Sequence, residues 1–244
     1  MAGEYDKSQY TKKERFINFL DYFKVYLIAG VLILLFVGVQ LIKIRAQKPI
    51  GFNAVYFNAV STSMDEGQSY MDGFGQTIGL GEKQIVEVQN YMAFNLDDGV
   101  EDLELNIVQN MGAWIANGDL DVMLANEVVF EYFAYWGGLS DLRYYLSEET
   151  LQELEPYIFY IDQTVADARA EYMYGSEEYN SIQLPNPRDP ASMKDPIPVG
   201  IYLDQANDAF KAEFEFENGT AMVGIFLNNE NAERCSQFIH YIMK

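Results

Sequence analysis

The sequence predicts one N-terminal transmembrane helix followed by an α/β domain with a largely parallel sheet, and three observations carry that prediction. Residues Val25 to Ile42 (VYLIAGVLILLFVGVQLI) form an eighteen-residue apolar run interrupted only by the neutral Gln40. At a rise of roughly 1.5 Å per residue such a run almost crosses a hydrocarbon core. Beyond it, apolar runs of strand length alternate with helical spacings, and Gly, Asn and Pro punctuate the boundaries, as strand–helix–strand units require. Hydrophobic content of 49%, with 16 Phe and 18 Tyr in 244 residues, supplies a packed core and excludes a disordered stalk.

The apolar run reads as an uncleaved anchor. A signal-peptide core is shorter and ends in small residues, whereas this run ends in Lys43, Arg45 and Lys48, with no Cys nearby for lipoprotein processing. Tyr22, Phe23 and Tyr26 mark one interface, and ERFINFLDYF (14–23) is expected to continue the helix inward. Lys7, Lys12, Lys13, Arg15 and Lys24 precede the run and only Lys43, Arg45 and Lys48 directly follow it, so the positive-inside bias places the N-terminus in the cytoplasm. The expected organisation is a cytoplasmic tail (1–21), a membrane helix (22–43), a tether (44–51) and an extracytoplasmic domain (52–244). Residues 1–48 carry a formal +4. From position 49 onward, 8 Lys and Arg face 33 Asp and Glu, a formal −25. An acidic domain of this kind is repelled by nucleic acid and by anionic lipid surfaces. With Cys235 as its only cysteine, it is held by its core and not by disulfides.

In the outer region Phe52 to Ala59 reads as a buried strand and Gln84 to Tyr91 alternates with period two, with a glycine-loosened helix over Gln68 to Leu80 between them. Asp98 and Glu101 have capping-box spacing before a helical run that stops at Asn117-Gly118. A strand over Leu120 to Ala125 leads to a helix Glu127 to Trp136 that Asn126 caps. Ser147 opens a short helix ended by Pro156, and a strand follows at Tyr157 to Ile161. Five of the seven prolines fall between Pro185 and Pro198, so about 174–196 reads as a loop or reduced insertion. Then come a strand Val199 to Leu203, a hairpin turning at Asn218-Gly219, and a terminal helix Glu230 to Met243.

Catalytic signatures are absent from the sequence. There is no G-x-S-x-G elbow and no phosphate loop, and a calcium loop placed on Gly99 would put Phe94 and Leu105 at ligand positions. The sole histidine, His240, reads as a surface or half-buried helix residue. Cys235 has the helical spacing of a small packed hydrophobe. Asp119 and Asp121 bracket Leu120 as a solvated strand entry, and Trp114 and Trp136 read as core. No enzyme activity, metal or cofactor is expected.

Two stretches carry a family resemblance. WIANGDLDVMLANEVVFEYFAYWGGLSDLRYYLSEE (114–149) resembles the segment of type II periplasmic or extracellular solute-binding proteins in which a helix leads to a G-D-x-D strand, an acidic or amide residue, a helix and a "gl.DL" turn. VGIFLNNENAERCSQFIHYIM (223–243) is similar to that family's C-terminal tail. Together they cover about 55 of the 244 residues. The resemblance implies a periplasmic-binding-protein-like domain with a reduced second lobe, because roughly 195 residues are fewer than two full lobes use. It also implies a non-catalytic, membrane-anchored binder of a small solute or peptide. The alternative is a degenerate binding fold acting as an interaction module of a membrane complex, transporter or sensor. Ligands of open α/β sheets sit beyond the carboxyl ends of strands, so the expected site residues are Asn58, Ser61 and Thr62, then Asn95, then Asn126 and Glu127.

Overall fold

The computed structural model describes residues 11–46, 48–61, 64–81, 84–91, 94, 96, 102–216 and 220–244, with side chains given at all of these except 14, 15, 18, 44–46, 61, 64–66 and 102–105. The chain divides into two compact units, Met1–Lys48 and Pro49–Lys244. Among its described residues the first holds one helix, α1 (Lys12–Ala46), whose segment Phe19–Lys43 has a mean hydropathy of 2.7 and buries none of its most apolar window within the protein. Its length and position fit a membrane anchor or a signal sequence.

The second unit opens with β1 (Ile50–Phe57), β2 (Ala59–Ser61), α2 (Met64–Thr77) and β3 (Ile85–Tyr91). It continues through α3 (Asp102–Asn117), β4 (Val122–Asn126), α4 (Glu127–Tyr135), α5 (Glu148–Leu154), β5 (Ile158–Asp162), α6 (Gln163–Ala170) and α7 (Glu177–Ser181). It ends in β6 (Pro196–Tyr202), α8 (Asp208–Glu213), β7 (Phe214–Phe216), β8 (Ala221–Ile225) and α9 (Ala232–Met243). Six strands form one sheet in the order β3-β1-β4-β8-β6-β5, while β2 and β7 pair separately.

This sheet is mixed, with most of its strands pointing one way. β1 pairs in parallel with β3 and β4, but β4–β8, β8–β6 and β6–β5 are antiparallel. Four strands still point one way, because β8 and β5 are the two inserted against that direction. The expected hairpin at Asn218-Gly219 does not form between the strands on either side of it: β7 pairs with β2 and β8 enters the main sheet between β4 and β6. Burial explains this outcome, since Met222 to Ile225 are fully or nearly fully buried and satisfy two neighbours at once. The turn residues themselves, and the Asp98–Glu101 capping box, lie outside the described residues.

Strand alternation divides the core into two layers. Phe52, Ala54 and Tyr56 of β1 face α2, α8 and α9, where Phe52 meets Phe74 and Phe238 at ring-centroid distances of 4.9 and 5.3 Å. Val55 and Phe57 face the other way, onto α3 and α4. In the middle of the sheet Gly200 of β6 and Gly224 of β8 stand opposite each other, and the Phe130 ring of α4 lies over both. A Cβ at Gly224 would come 2.9 Å from Phe130 Cζ, so the close approach itself selects glycine.

The stretch of about 174–196, expected as a loop or reduced insertion, falls largely within an ordered strap, residues 171–195, that contains α7. Tyr160 N–H donates to Pro187 O at 2.9 Å, and Arg188 stacks on Tyr202 at 3.5 Å from its ring centroid. Asp162 holds the far end, accepting from Lys194 N–H at 2.8 Å and Asp195 N–H at 3.3 Å while also capping α6 through Thr164.

Candidate functional site

Of the expected ligand residues whose side chains are described, Asn58 and Asn126 stand at the carboxyl ends of β1 and β4 and Glu127 opens α4, and each serves local structure. Asn58 has a φ of 56°, a left-handed conformation that asparagine tolerates better than bulkier residues. Its amide imitates a backbone unit, with Oδ1 accepting from Phe94 N–H at 2.7 Å and Nδ2 donating to Phe94 O at 2.8 Å. Asn126 is 4% exposed and caps α4 by accepting from Val129 N–H at 3.4 Å. Glu127 accepts the Tyr202 hydroxyl at 3.2 Å. Ser61 lies in β2 opposite Phe214, with no side chain described. Thr62 and Asn95 lie outside the described residues.

A cavity of about 400 Å³ opens at the other end of these strands, on the α3 side of the sheet. Its wall is assembled from the start of β1 (Ile50, Gly51, Asn53), the adjacent positions of β3 (Glu87, Gln89), the end of α3 (Trp114) and the entry to β4 (Asp119, Asp121), closed by Asn231 ahead of α9. Local sequence dictates the convergence. Gly118, at φ 72°, ends α3 and turns the chain, and Asp119 N–H returns to Trp114 O at 2.9 Å. The chain then enters β4 with Asp121 beside Asn53.

Asp121 is the hub. It is 3% exposed, not a solvated strand entry, because the loop before α9 folds over it. Oδ2 accepts from Asn53 N–H at 2.6 Å, and Oδ1 accepts from Asn229 Nδ2 at 2.6 Å and Asn231 Nδ2 at 2.9 Å. Burial pushes its carboxyl above the ordinary value, against the opposing pull of those amides and the charge of Arg234. Asn53 donates Nδ2 to Asp119 O at 3.0 Å, which leaves its Oδ1 only a long 3.5 Å contact from Gln89 Nε2. Trp114 is half-buried on the cavity wall and Trp136 is 44% exposed, so neither indole is enclosed in the core.

Cys235 and His240 both lie in α9. Cys235 is buried with its thiol pushed well above the ordinary value by burial. His240 contacts Ser236 O at 2.8 Å within α9. Among the described residues no cluster of three His, Cys, Asp or Glu has the geometry to hold a metal ion.

No protein-family model matches this chain, and no curated protein matches it. A solved structure to which the chain is similar is that of the Trichodesmium IdiA (FutA) protein in complex with iron and citrate ligands, with a TM-score of 0.35 and 13% identity over 80% of this chain and 81% of that one.

Proposed function

We propose that this protein is a membrane-tethered, non-catalytic binding protein that displays an acidic α/β domain outside the cell and takes a small solute in the cavity at the amino ends of β1, β3 and β4. The observation that supports it most is the cavity itself: about 400 Å³, within the usual range of small-molecule sites. Its polar wall is already organised by Asp121. The tether reading is supported by the apolar length of α1 and by the cationic residues that flank it. Asn58, Asn126 and Glu127 then hold the strand ends and do not touch ligand.

Thermal unfolding of the full chain in lipid nanodiscs, read against a broad panel of metabolites and short peptides, tests this reading. A ligand at about 100 times its Kd stabilises by about 2.7 kcal/mol, a clear rise in Tm. Trp114→Ala is expected to remove that rise. No shift with any solute would contradict solute binding.

A second reading, an interaction module of a membrane complex, is favoured by one observation. Pro49–Lys244 is a single compact unit around one large sheet. Closure of two lobes on a ligand therefore has no counterpart within it. Co-purification of a stable membrane partner, with no ligand-dependent Tm shift, would select this alternative.

A further inference from the structure

The chemistry of the cavity wall narrows the ligand. Each of two amides on the wall already commits one N–H within the fold, Asn53 Nδ2 to Asp119 O and Asn231 Nδ2 to Asp121 Oδ1. Gln89 Nε2 has only its long contact to Asn53. The acceptors are not spent. Glu87 and Asp119 face the cavity with no hydrogen bond or ion pair to their carboxylates among the described residues. Asn53, 4% exposed, keeps a carbonyl with no short partner.

Charge points the same way. Among the described residues Glu87, Asp119 and Asp121 line the cavity, and no Lys, Arg or His does. Arg234, the cation that acts on Asp121, donates its guanidinium to Gly51 O and is not part of the lining. An anionic ligand would bring its charge against three carboxylates in a partly desolvated site. A neutral polyol could donate to the free acceptors but would leave the negative charge of the wall uncompensated. A cation with several N–H groups satisfies both the charge and the acceptors, and Trp114 in the lining adds an aromatic ring that suits a cation or its apolar flank.

We infer that the cavity walled by Asn53, Glu87, Gln89, Trp114, Asp119 and Asp121 binds a small organic cation carrying several N–H donors, of the alkylammonium or guanidinium class. This rests on the solute-binding reading above and specifies its ligand.

The test is isothermal titration calorimetry of the full chain in zwitterionic nanodiscs at physiological salt. Agmatine and tyramine serve as cationic probes, glucose as the neutral one and succinate as the anion. The double variant Glu87→Gln/Asp119→Asn removes two carboxylates that make no hydrogen bond or ion pair among the described residues. Glu148→Gln/Glu149→Gln removes the same charge from the exposed start of α5. Saturable binding of a cation with one-to-one stoichiometry is expected. The cavity variant should weaken it at least tenfold and the α5 variant less than twofold. Equal losses in both variants would reduce the effect to general attraction by an acidic protein and overturn the inference. So would undiminished binding in the cavity variant, or no cation binding at all. Saturable binding of glucose or succinate that Trp114→Ala abolishes would overturn the cation while leaving the solute site in place.

Discussion

At the scale of single residues, two positions carry more of the structure than their size implies. The Gly200 and Gly224 pair makes the slot for Phe130, and Gly224→Ala forces a methyl against that ring. Overpacking of this kind costs about 1–3 kcal/mol, so urea unfolding of Gly224→Ala should show a lowered midpoint with an unchanged slope. Asp121 gathers three donors, and Asp121→Ala leaves the buried Asn53 N–H without its partner and takes one from the half-buried Asn229 and Asn231 amides, an expected loss of roughly 1–3 kcal/mol by the same measurement. Its pH dependence has a definite sign. Because its native pKa is raised above the ordinary 3.8, the native state holds the proton more tightly, and its contribution to stability falls as pH rises from about 3.8 through the native value. Wild-type stability relative to Asp121→Asn should therefore decline across that window. Asn126 as a cap was legible from its place before an apolar helical run. The role of Asp121 was not, because its partners Asn229 and Asn231 lie 108 and 110 residues away. The one local hint, the Asp-Leu-Asp sequence, also fits a solvated edge.

Among the elements, the strap 171–195 is the piece whose order depends on a few contacts. Burial raises the Asp162 carboxyl, but the N–H groups of Lys194, Thr164 and Asp195 and the Thr164 hydroxyl more than offset this and hold it below the ordinary value. Its contribution is therefore fully present above about pH 3.8 and lost as pH falls through the lower native value. Asp162→Ala should free the strap at neutral pH, with trypsin cleavage after Arg188 and Lys194 accelerated about tenfold, as the loss of hydrogen bonds to a charged group implies. Unchanged cleavage would show that the stacking of Arg169 on Tyr179 and of Arg188 on Tyr202 suffices alone. Proline density marked this segment as irregular, but tertiary contacts and not local propensity order it. The hairpin expectation missed for a related reason. Asn-Gly signals a turn only if its flanking strands prefer each other, and β8 instead pairs with both β4 and β6.

For the whole molecule, sequence pattern sufficed for the apolar N-terminal helix, the α/β class and most element positions, since each depends on local periodicity. Strand order, the direction of β8 and the position of the cavity depend on which distant faces meet, and periodicity carries no such information. The account stands on the anchor and on the side of the membrane that the −25 domain occupies. Leu34→Arg places a cation at the centre of the apolar run, which costs about 2.5–3.5 kcal/mol on insertion scales. It should shift part of the protein into the soluble fraction after alkaline carbonate washing. The most direct test is protease added to intact cells or protoplasts expressing the full chain. The account predicts that the acidic domain is digested while a small membrane-protected fragment containing residues 1–48 survives. A domain that resists protease until the membrane is breached, or a soluble species that begins after Ile42, would contradict it.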